Sequence, residues 1–340
     1  MKLRFAAGLA LVLALAGAAV ASDNLLITGA GATFPAPLYT KWFSDYNKLN
    51  PTIQINYQAI GSGGGIKQIT EKTVEFGASD APMSDEELGK APGLLHIPTV
   101  MGAVVVTWNE PEIKTLKLTP QTLAAIFLGK ITKWNDPAIA KENPQQVKLP
   151  ATDITVARRS DGSGTTYVFT DYLSKVSPEF KAGPGTGKSV NWPVGLGAKG
   201  NDGVTGLVKS TKGAIGYVEL AYANQNKLPL AELKNKDGHF VKATLQATSE
   251  AAAGIEMPAD FRVSITDAAG TGAWPIASFT YLLIRKDQED AKKGEALVKF
   301  LGWALTEGQK SAGPLDYAPL PAAVVKKVQA TVATIKVAGK

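Results

Sequence analysis

Polar and apolar residues alternate over residues 52–58, where Ile53, Ile55 and Tyr57 are each followed by a polar side chain. This period of two predicts a strand with one buried face. β-Branched or otherwise apolar runs predict further strands at residues 102–108, 153–157, 213–219 and 278–284. The predicted strands are short and spread along the whole chain.

Apolar residues recur at helical spacing in the segments between these strands. Leu38, Trp42, Tyr46 and Leu49 recur at intervals of three or four residues, after two prolines that suit a helix start. Further helices are predicted at residues 120–128, 165–175, about 290–306 and about 321–337, with a capping box at residues 84–87 (SDEE). This alternation of strands and helices predicts α/β layers with mostly parallel sheets.

No low-complexity linker or internal repeat divides the chain. Its 340 residues suit two domains of roughly 100–200 residues each. Residues 183–206 and 235–258 are expected to form long surface loops, with Asn201 and Asp202 capping a helix that runs to about Lys209. Crossings between two domains are therefore expected to be short strand segments, which favours a hinged pair.

The first 21 residues are expected to be a secretory signal peptide. Lys2 and Arg4 precede an apolar run over residues 5–20, and residues 19–21 (AVA) match a cleavage site. The run falls short of the about 20 residues that span a bilayer, which argues against a membrane anchor. The absence of cysteine excludes disulfides, thiolate metal sites, a cysteine nucleophile and a lipid-modified cysteine. We therefore expect an exported, periplasmic protein without a lipid anchor.

The formal net charge is +6, and the cations are interspersed with acidic residues. No basic stripe is interleaved with aromatic residues, which argues against nucleic-acid binding. The charge at most favours small anionic solutes. His96 and His239 lie in unrelated contexts, and neither metal-ligand spacing nor a GxSxG motif occurs. The sequence therefore predicts neither a metal site nor a catalytic centre.

Three glycine-rich loops each precede a predicted helix, at residues 29–34 (GAGATF), 61–65 (GSGGG) and 160–165 (SDGSGT). Backbone N–H groups at helix N-termini, supplemented by serine and threonine hydroxyls, bind oxyanions. Each loop alone also fits a tight turn from strand to helix. Three of them in an exported chain predict a tetrahedral anion as the ligand.

Of the three loops, residues 160–165 give the strongest indication of an oxyanion site. Arg159, just before it, can contact an oxyanion through two N–H groups, and Asp161 can orient that guanidinium. Ser163 and its two neighbours supply hydroxyl and backbone donors. The alternative is a capped helix with an Arg–Asp pair on the surface.

Asp80 ends a short predicted strand, in the stretch FGASDA. Most such aspartates form turns or caps. Beside an oxyanion, however, a carboxylate accepts a hydrogen bond only from a protonated ligand, so it would admit hydrogen phosphate and reject sulfate. Two acceptors facing each other in a dry pocket cost about 1–3 kcal/mol or more. The first loop adds the hydroxyl of Thr33 to the candidate donors.

Two other glycine-rich stretches match nucleotide-binding motifs but lack the structural context that those motifs need. Residues 182–189 fit a relaxed Walker A pattern, and residues 195–200 fit GxGxxG. Neither follows a buried strand, and Trp192 and Pro193 disfavour a helix after the first. No acid follows the second at the spacing of a ribose contact. Both are rejected as nucleotide sites.

Taken together and in order, these motifs resemble the high-affinity periplasmic phosphate-binding proteins of ABC importers. The matching stretches are residues 28–37 (TGAGATFPAP), 61–65, 76–81 (FGASDA), 158–165 (RRSDGSGT), 200–203 (GNDG), 213–219 (GAIGYVE) and, near the end, Asp316-Tyr317 with Leu320-Pro321. They span nearly the whole chain after the expected signal peptide. One departure is Gly63, where the family often has a second serine.

The resemblance implies an α/β periplasmic binding protein fold (type II-like) with two lobes, two hinge crossings and the ligand in the cleft between the lobes. The lobes are expected at residues 22–104 with 275–340, and at residues 105–274. The residues implied to bind phosphate are Thr33, Phe34 (through its backbone N–H), Ser62, Asp80, Arg159, Asp161, Ser163, Gly164 and Thr165. Asp80 is implied to accept the phosphate proton, and Asp161 to pair with Arg159.

The resemblance also implies a binding protein rather than an enzyme, without a cofactor or metal. Its expected partners are inorganic phosphate and the transmembrane permease subunits of an ABC phosphate importer, and it is expected to be a monomer. Two alternatives stay open from the residues alone. One is a secreted phosphoester hydrolase, and the other is a binding protein for sulfate or molybdate.

Overall fold

The computed structural model describes residues 24–146 and 148–339, so the expected signal peptide lies outside the described residues. The strands are β1 (Leu25–Gly31), β2 (Ile53–Ala59), β3 (Phe76–Ser79), β4 (Leu94–Asn109), β5 (Lys117–Leu118), β6 (Thr155–Arg159), β7 (Leu196–Ala198), β8 (Ala214–Glu219), β9 (Glu232–Lys234), β10 (Phe240–Val241), β11 (Ala277–Arg285), β12 (Asp287–Gln288) and β13 (Lys336–Val337). The helices are α1 (Ala36–Leu49), α2 (Ser62–Thr70), α3 (Asp85–Lys90), α4 (Pro120–Phe127), α5 (Pro137–Glu142), α6 (Gly164–Val176), α7 (Pro178–Ala182), α8 (Gly200–Ser210), α9 (Leu220–Gln225), α10 (Leu245–Ala251), α11 (Ala291–Ala304) and α12 (Ala322–Val332). Two 3₁₀ helices, Glu307–Ser311 and Gly313–Leu315, follow α11.

Eight strands form one curled, mixed sheet in the order β2-β1-β3-β11-β4-β8-β6-β7. β1 pairs in parallel with β2 and β3, and β6 pairs in parallel with β7 and β8. β11 is antiparallel to β3 and β4, and β4 is antiparallel to β8. The expected parallel pairing therefore holds at both ends of the sheet but not at its centre, where β11 returns from the distant end of the chain.

One long strand joins the two parts of this sheet. Residues 94–103 of β4 pair with β11, and residues 104–109 pair with β8. At 16 residues β4 is much longer than the short crossing that the sequence predicts. It divides the sheet into a first half (β2, β1, β3, β11 and the start of β4) and a second half (the end of β4 with β8, β6 and β7).

Local signals fix several helix ends. The capping box of Ser84 and Glu87 is present at the start of α3, and Thr119 caps α4 through its side chain. The last helix, α12, stops at Val332, earlier than predicted, because the residues after it turn back to pair as β13 with β12.

The prediction of two long surface loops is wrong in part. Residues 183–206 contain β7 and the start of α8, and residues 235–258 contain β10 and α10. α8 begins at Gly200 with Lys199 as its N-cap, so Asn201 lies inside its first turn. The apolar face of α8 packs on β8, which compensates for the low helix propensity of its glycines.

Large aromatic side chains fill the core. Trp42, Trp108, Trp134 and Trp274 are fully buried. Trp192 and Trp303 are only partly buried and lie against this core. Within residues 24–146 and 148–339, no helix combines the length and apolar character needed to cross a bilayer.

Candidate functional site

The three glycine-rich loops meet where strands of both sheet halves end. The first and second loops lead from β1 and β2 into α1 and α2, and the third leads from β6 into α6. β1 runs in the same direction as β4, and β6 runs in the opposite direction. Because the two sheet halves pair with successive parts of β4, their strands end facing each other. Helix α8, which follows β7, begins at the same place. The N-termini of four helices, each with its partial positive charge, therefore converge.

Asp80 lies directly after β3 and is held by two hydroxyl groups. Thr280 of β11 donates a hydrogen bond to Asp80 Oδ1 at 2.8 Å. Ser62 Oγ accepts a hydrogen bond from the Asp80 N–H at 3.2 Å and lies 3.5 Å from Asp80 Oδ2. Asp80 is only 1% exposed, so its carboxyl group depends on these partners.

Burial raises the pKa of Asp80 from 3.8 to about 7. The hydrogen bond from Thr280, the positive charge of Arg159 and the contact with Ser62 oppose this rise without cancelling it. A carboxyl group that is close to half-ionised at neutral pH can share a proton with a bound group. Asp80 is therefore suited to contact a ligand oxygen that carries a proton.

Arg159 ends β6 and makes a two-pronged contact with Asp161. Its Nε and Nη2 donate to the two Asp161 carboxylate oxygens at 2.7 and 2.5 Å, and its Nη1 donates to Thr165 Oγ1 at 3.4 Å. Burial raises the pKa of Asp161, but the hydrogen bonds and charge of Arg159 outweigh burial and hold that pKa below its ordinary value. The side chains of Arg159 and Asp161 are 1% and 11% exposed, so the alternative of a surface pair is wrong.

The third loop brings the first turn of α6 to the carboxyl end of β3. Ser163 caps α6, because its Oγ accepts from the Thr166 N–H at 3.0 Å. The next residue, Gly164, lies directly against Ser62 and Asp80 of the first half. The hydroxyl groups and backbone donors of both sheet halves therefore face each other.

Direct contacts hold the two sides of this site together. Gly63 of the second loop donates its backbone N–H to the Gly162 carbonyl at 2.8 Å. Lys188 Nζ lies 2.7 and 2.9 Å from the two carboxylate oxygens of Glu87. Every residue that the sequence assigns to the site is buried except Asp161, which is partly buried. The site is closed over by the protein on both sides.

The structure thus brings together all the residues that the sequence assigns to the site, and it adds residues that sequence reasoning missed. The Asn201 side chain contacts both Thr33 and Thr165. Tyr222 and Tyr317 donate to the backbone carbonyls of Thr33 and Phe34, both at 2.6 Å. The stretch GNDG at residues 200–203 is the available signal for Asn201, although its local pattern predicts only a helix cap.

The electrostatics of the site suit an anion that carries a proton. Its one arginine is already paired with Asp161, so hydroxyl groups, backbone N–H groups and helix N-termini supply most of the favourable potential. In the part of the chain that the structure describes, no group of three or more His, Cys, Asp or Glu residues is arranged to hold a metal ion.

Known proteins resemble this chain over most of its length. Residues 16–307 match the family model described as PBP superfamily domain. The phosphate-binding protein PstS of Pasteurella multocida is 48% identical over 316 residues, which cover 92% of this chain and 91% of that protein. The phosphate-binding protein PstS of Methanocaldococcus jannaschii is 42% identical, over 85% of this chain and 80% of that protein.

A solved structure shares the fold. The phosphate-binding protein of Stenotrophomonas maltophilia superposes with a TM-score of 0.70 at 22% identity, covering 90% of this chain and 93% of that one. The two-lobed α/β binding protein fold expected from the sequence is thereby confirmed. The family consists of binding proteins rather than enzymes, which sets aside the phosphoester hydrolase. The chain belongs to the PBP superfamily and, within it, to the family of phosphate-binding proteins named PstS.

Proposed function

We propose that this protein binds inorganic phosphate outside the cytoplasmic membrane and delivers it to the permease of an ABC importer. The observation that carries the proposal is the convergence of a buried Arg159–Asp161 pair, a buried Asp80 and the first turns of four helices at one closed site. The names of relatives at 48% and 42% identity support phosphate as the ligand.

The proposed ligand contacts come from both halves of the sheet. The donors are the hydroxyl groups of Thr33, Ser62, Ser163 and Thr165, the backbone N–H groups of Phe34 and Gly164, and the guanidinium of Arg159. Asp161 holds the guanidinium in place, and Tyr317 fixes the Phe34 peptide through its carbonyl. A fixed set of donors needs little reorganisation on binding, which favours high affinity.

Asp80 is the proposed selectivity residue. It accepts a hydrogen bond from a protonated phosphate oxygen, which sulfate cannot offer at neutral pH. Sites that depend on one such buried hydrogen bond can discriminate by about 10⁴–10⁵-fold. The contact with Thr280 supports this role, because it occupies Asp80 Oδ1 and leaves Oδ2 toward Ser62 and Gly164.

Binding is proposed to couple to closure of two lobes, residues 22–104 with 275–340 and residues 105–274. The change from β11 to β8 as the partner of β4 occurs between Ala103 and Val104, which supports a hinge at this point. Phosphate shifts the population to the closed form because only that form brings donors of both lobes to the ligand. We propose that the closed monomer docks on the permease, and that residues 1–21 direct export.

Isothermal titration of the exported chain, freed of bound ligand by partial unfolding, tests the proposal. The expected result, at a pH well above the Asp80 pKa of about 7, is tight one-to-one binding of phosphate without a sulfate signal. Binding of both anions would keep the anion site but overturn the role of Asp80. Binding of neither would overturn phosphate as the ligand.

A further inference from the structure

Asn201 connects the two sides of the site through one buried side chain. Its backbone N–H and its Nδ2 both donate to Thr33 Oγ1, at 3.2 and 2.8 Å. The same Nδ2 donates to Thr165 Oγ1 at 3.0 Å. Asn201 Oδ1 accepts from the Glu219 N–H at 2.9 Å, which fixes the orientation of the amide. The Nδ2 group therefore has to face the two threonines.

These contacts determine which way the two hydroxyl groups point. A hydroxyl group accepts two hydrogen bonds and donates one. Thr33 Oγ1 receives both of its bonds from Asn201. Thr165 Oγ1 receives one from Asn201 and one from Arg159 Nη1 at 3.4 Å. With the acceptor positions filled, each hydroxyl group can only donate its proton to a further group.

We infer that Asn201 is a positioning residue, which sets both threonine hydroxyl groups as donors toward the bound anion. The inference rests on the proposed function. Phosphate oxygens are acceptors, so a hydroxyl group that is held as a donor before binding loses no freedom when the ligand arrives. Because Thr33 and Thr165 lie in opposite sheet halves, the same amide also aligns the two sides.

Asn201→Ala tests this inference, because it removes the Nδ2 donor but keeps the backbone N–H. We expect phosphate affinity to fall about 10- to 100-fold by isothermal titration. Thr205→Val is the matched control. Thr205 lies one turn further along α8 and donates to the Asn201 carbonyl at 2.7 Å, so its loss perturbs the same helix without touching the threonines of the site. Its affinity should stay within about twofold of the wild type.

A double-mutant comparison separates positioning from a structural role. In the background Thr33→Val with Thr165→Val, the hydroxyl groups that Asn201 acts on are absent. We expect Asn201→Ala to weaken binding by less than about threefold there. An equal loss in both backgrounds would overturn the inference, since it would show that Asn201 acts through packing alone.

Asn201→Asp provides a second variant if the alanine protein does not fold. Aspartate keeps the acceptor for the Glu219 N–H but offers no donor to the threonines, so its affinity should fall at least as far as that of alanine. Affinity within about twofold of the wild type in either folded variant would overturn the inference. If the wild type itself does not bind phosphate, the proposed function fails, and this inference fails with it.

Discussion

A methyl group added to the α-carbon of Gly164 would lie 2.4 Å from Asp80 Oδ2 and 2.4 Å from Ser62 Oγ. These distances are well inside van der Waals contact, so only hydrogen fits at this position. Gly164 and Asp80 belong to opposite halves of the sheet. The absence of a side chain at Gly164 is therefore a condition for the two halves to meet.

Gly164→Ala should weaken phosphate binding about 10- to 100-fold, because overpacking opposes closure. The empty protein should keep its fold, since opening of the cleft relieves the contact. Isothermal titration and thermal unfolding measure the two effects. Gly206→Ala is the control, because Gly206 lies in the middle of α8 and the added carbon would have no atom within 4 Å apart from the neighbouring residues and backbone of its own helix. It should leave affinity unchanged and raise the free energy of unfolding by up to about 1 kcal/mol.

Sulfate exclusion should depend on pH. Sulfate carries no proton, so it can bind against Asp80 only when that residue is protonated, and burial raises the pKa of Asp80 to about 7. Above this pKa, sulfate binding must take up a proton, and its affinity should rise about tenfold for each pH unit of acidification. Below the pKa the affinity should level off.

Titrations with sulfate between about pH 5 and about pH 9 test this expectation. Asp80→Asn is the matched variant, because its amide cannot titrate and can donate to sulfate. It should bind sulfate with little dependence on pH. A flat sulfate profile in the wild type would contradict the assignment of selectivity to Asp80.

Asp161→Asn should destabilise the empty protein, because it leaves the buried guanidinium of Arg159 without a counter-charge. Removing one partner of a buried pair costs about 3–5 kcal/mol. Bound phosphate supplies the missing negative charge, so it should raise the melting temperature more in this variant than in the wild type. Asp153→Asn is the control, since Asp153 and its partner Lys133 are 79% and 54% exposed. Equal ligand effects in the wild type and Asp161→Asn would argue against this compensation.

Lys188, from the stretch with a Walker A pattern, forms an ion pair with Glu87 across the two sides of the site. Lys188→Met removes its ion pair with Glu87 and should lower phosphate affinity about two- to fivefold at low ionic strength. The difference should shrink as salt is added, because salt screens partly exposed charges. Lys90→Met, which removes an exposed pair with Glu86, is the control. A loss that persists at high salt would show that the contact is not electrostatic.

The sequence predicts those parts of the site that are close together along the chain. Arg159, Asp161 and Thr165 lie within one strand-to-helix turn, so their residue types alone indicated a shared role. The contact of Thr280 with Asp80 joins residues 200 positions apart. No local pattern encodes such a contact, because it depends on β11 pairing next to β3.

Prediction of the fold is limited in the same way, because local patterns do not encode pairing between distant segments. Buried strands and amphipathic helices have strong periodicity, and most of those predicted lie within a few residues of their observed positions. The exceptions include β4, which begins at Leu94 rather than at residue 102, and α12, which ends at Val332 rather than near residue 337. β7 has only three residues, in a stretch rich in glycine, and its pairing with β6 is what makes it a strand. Asn201 was missed as a site residue because its partners, Thr33 and Thr165, are 168 and 36 positions away.

The position of β11 between β3 and β4 has a consequence for when the chain can fold. Strands β1 to β3 cannot join β4 until residues up to Arg285 have been synthesised. Most of the chain has therefore been synthesised before the first half of the sheet can assemble. Strand pairing between residues so far apart in the sequence is also slow. The strand order that brings the site together thus also delays folding, which is compatible with the export proposed for this chain.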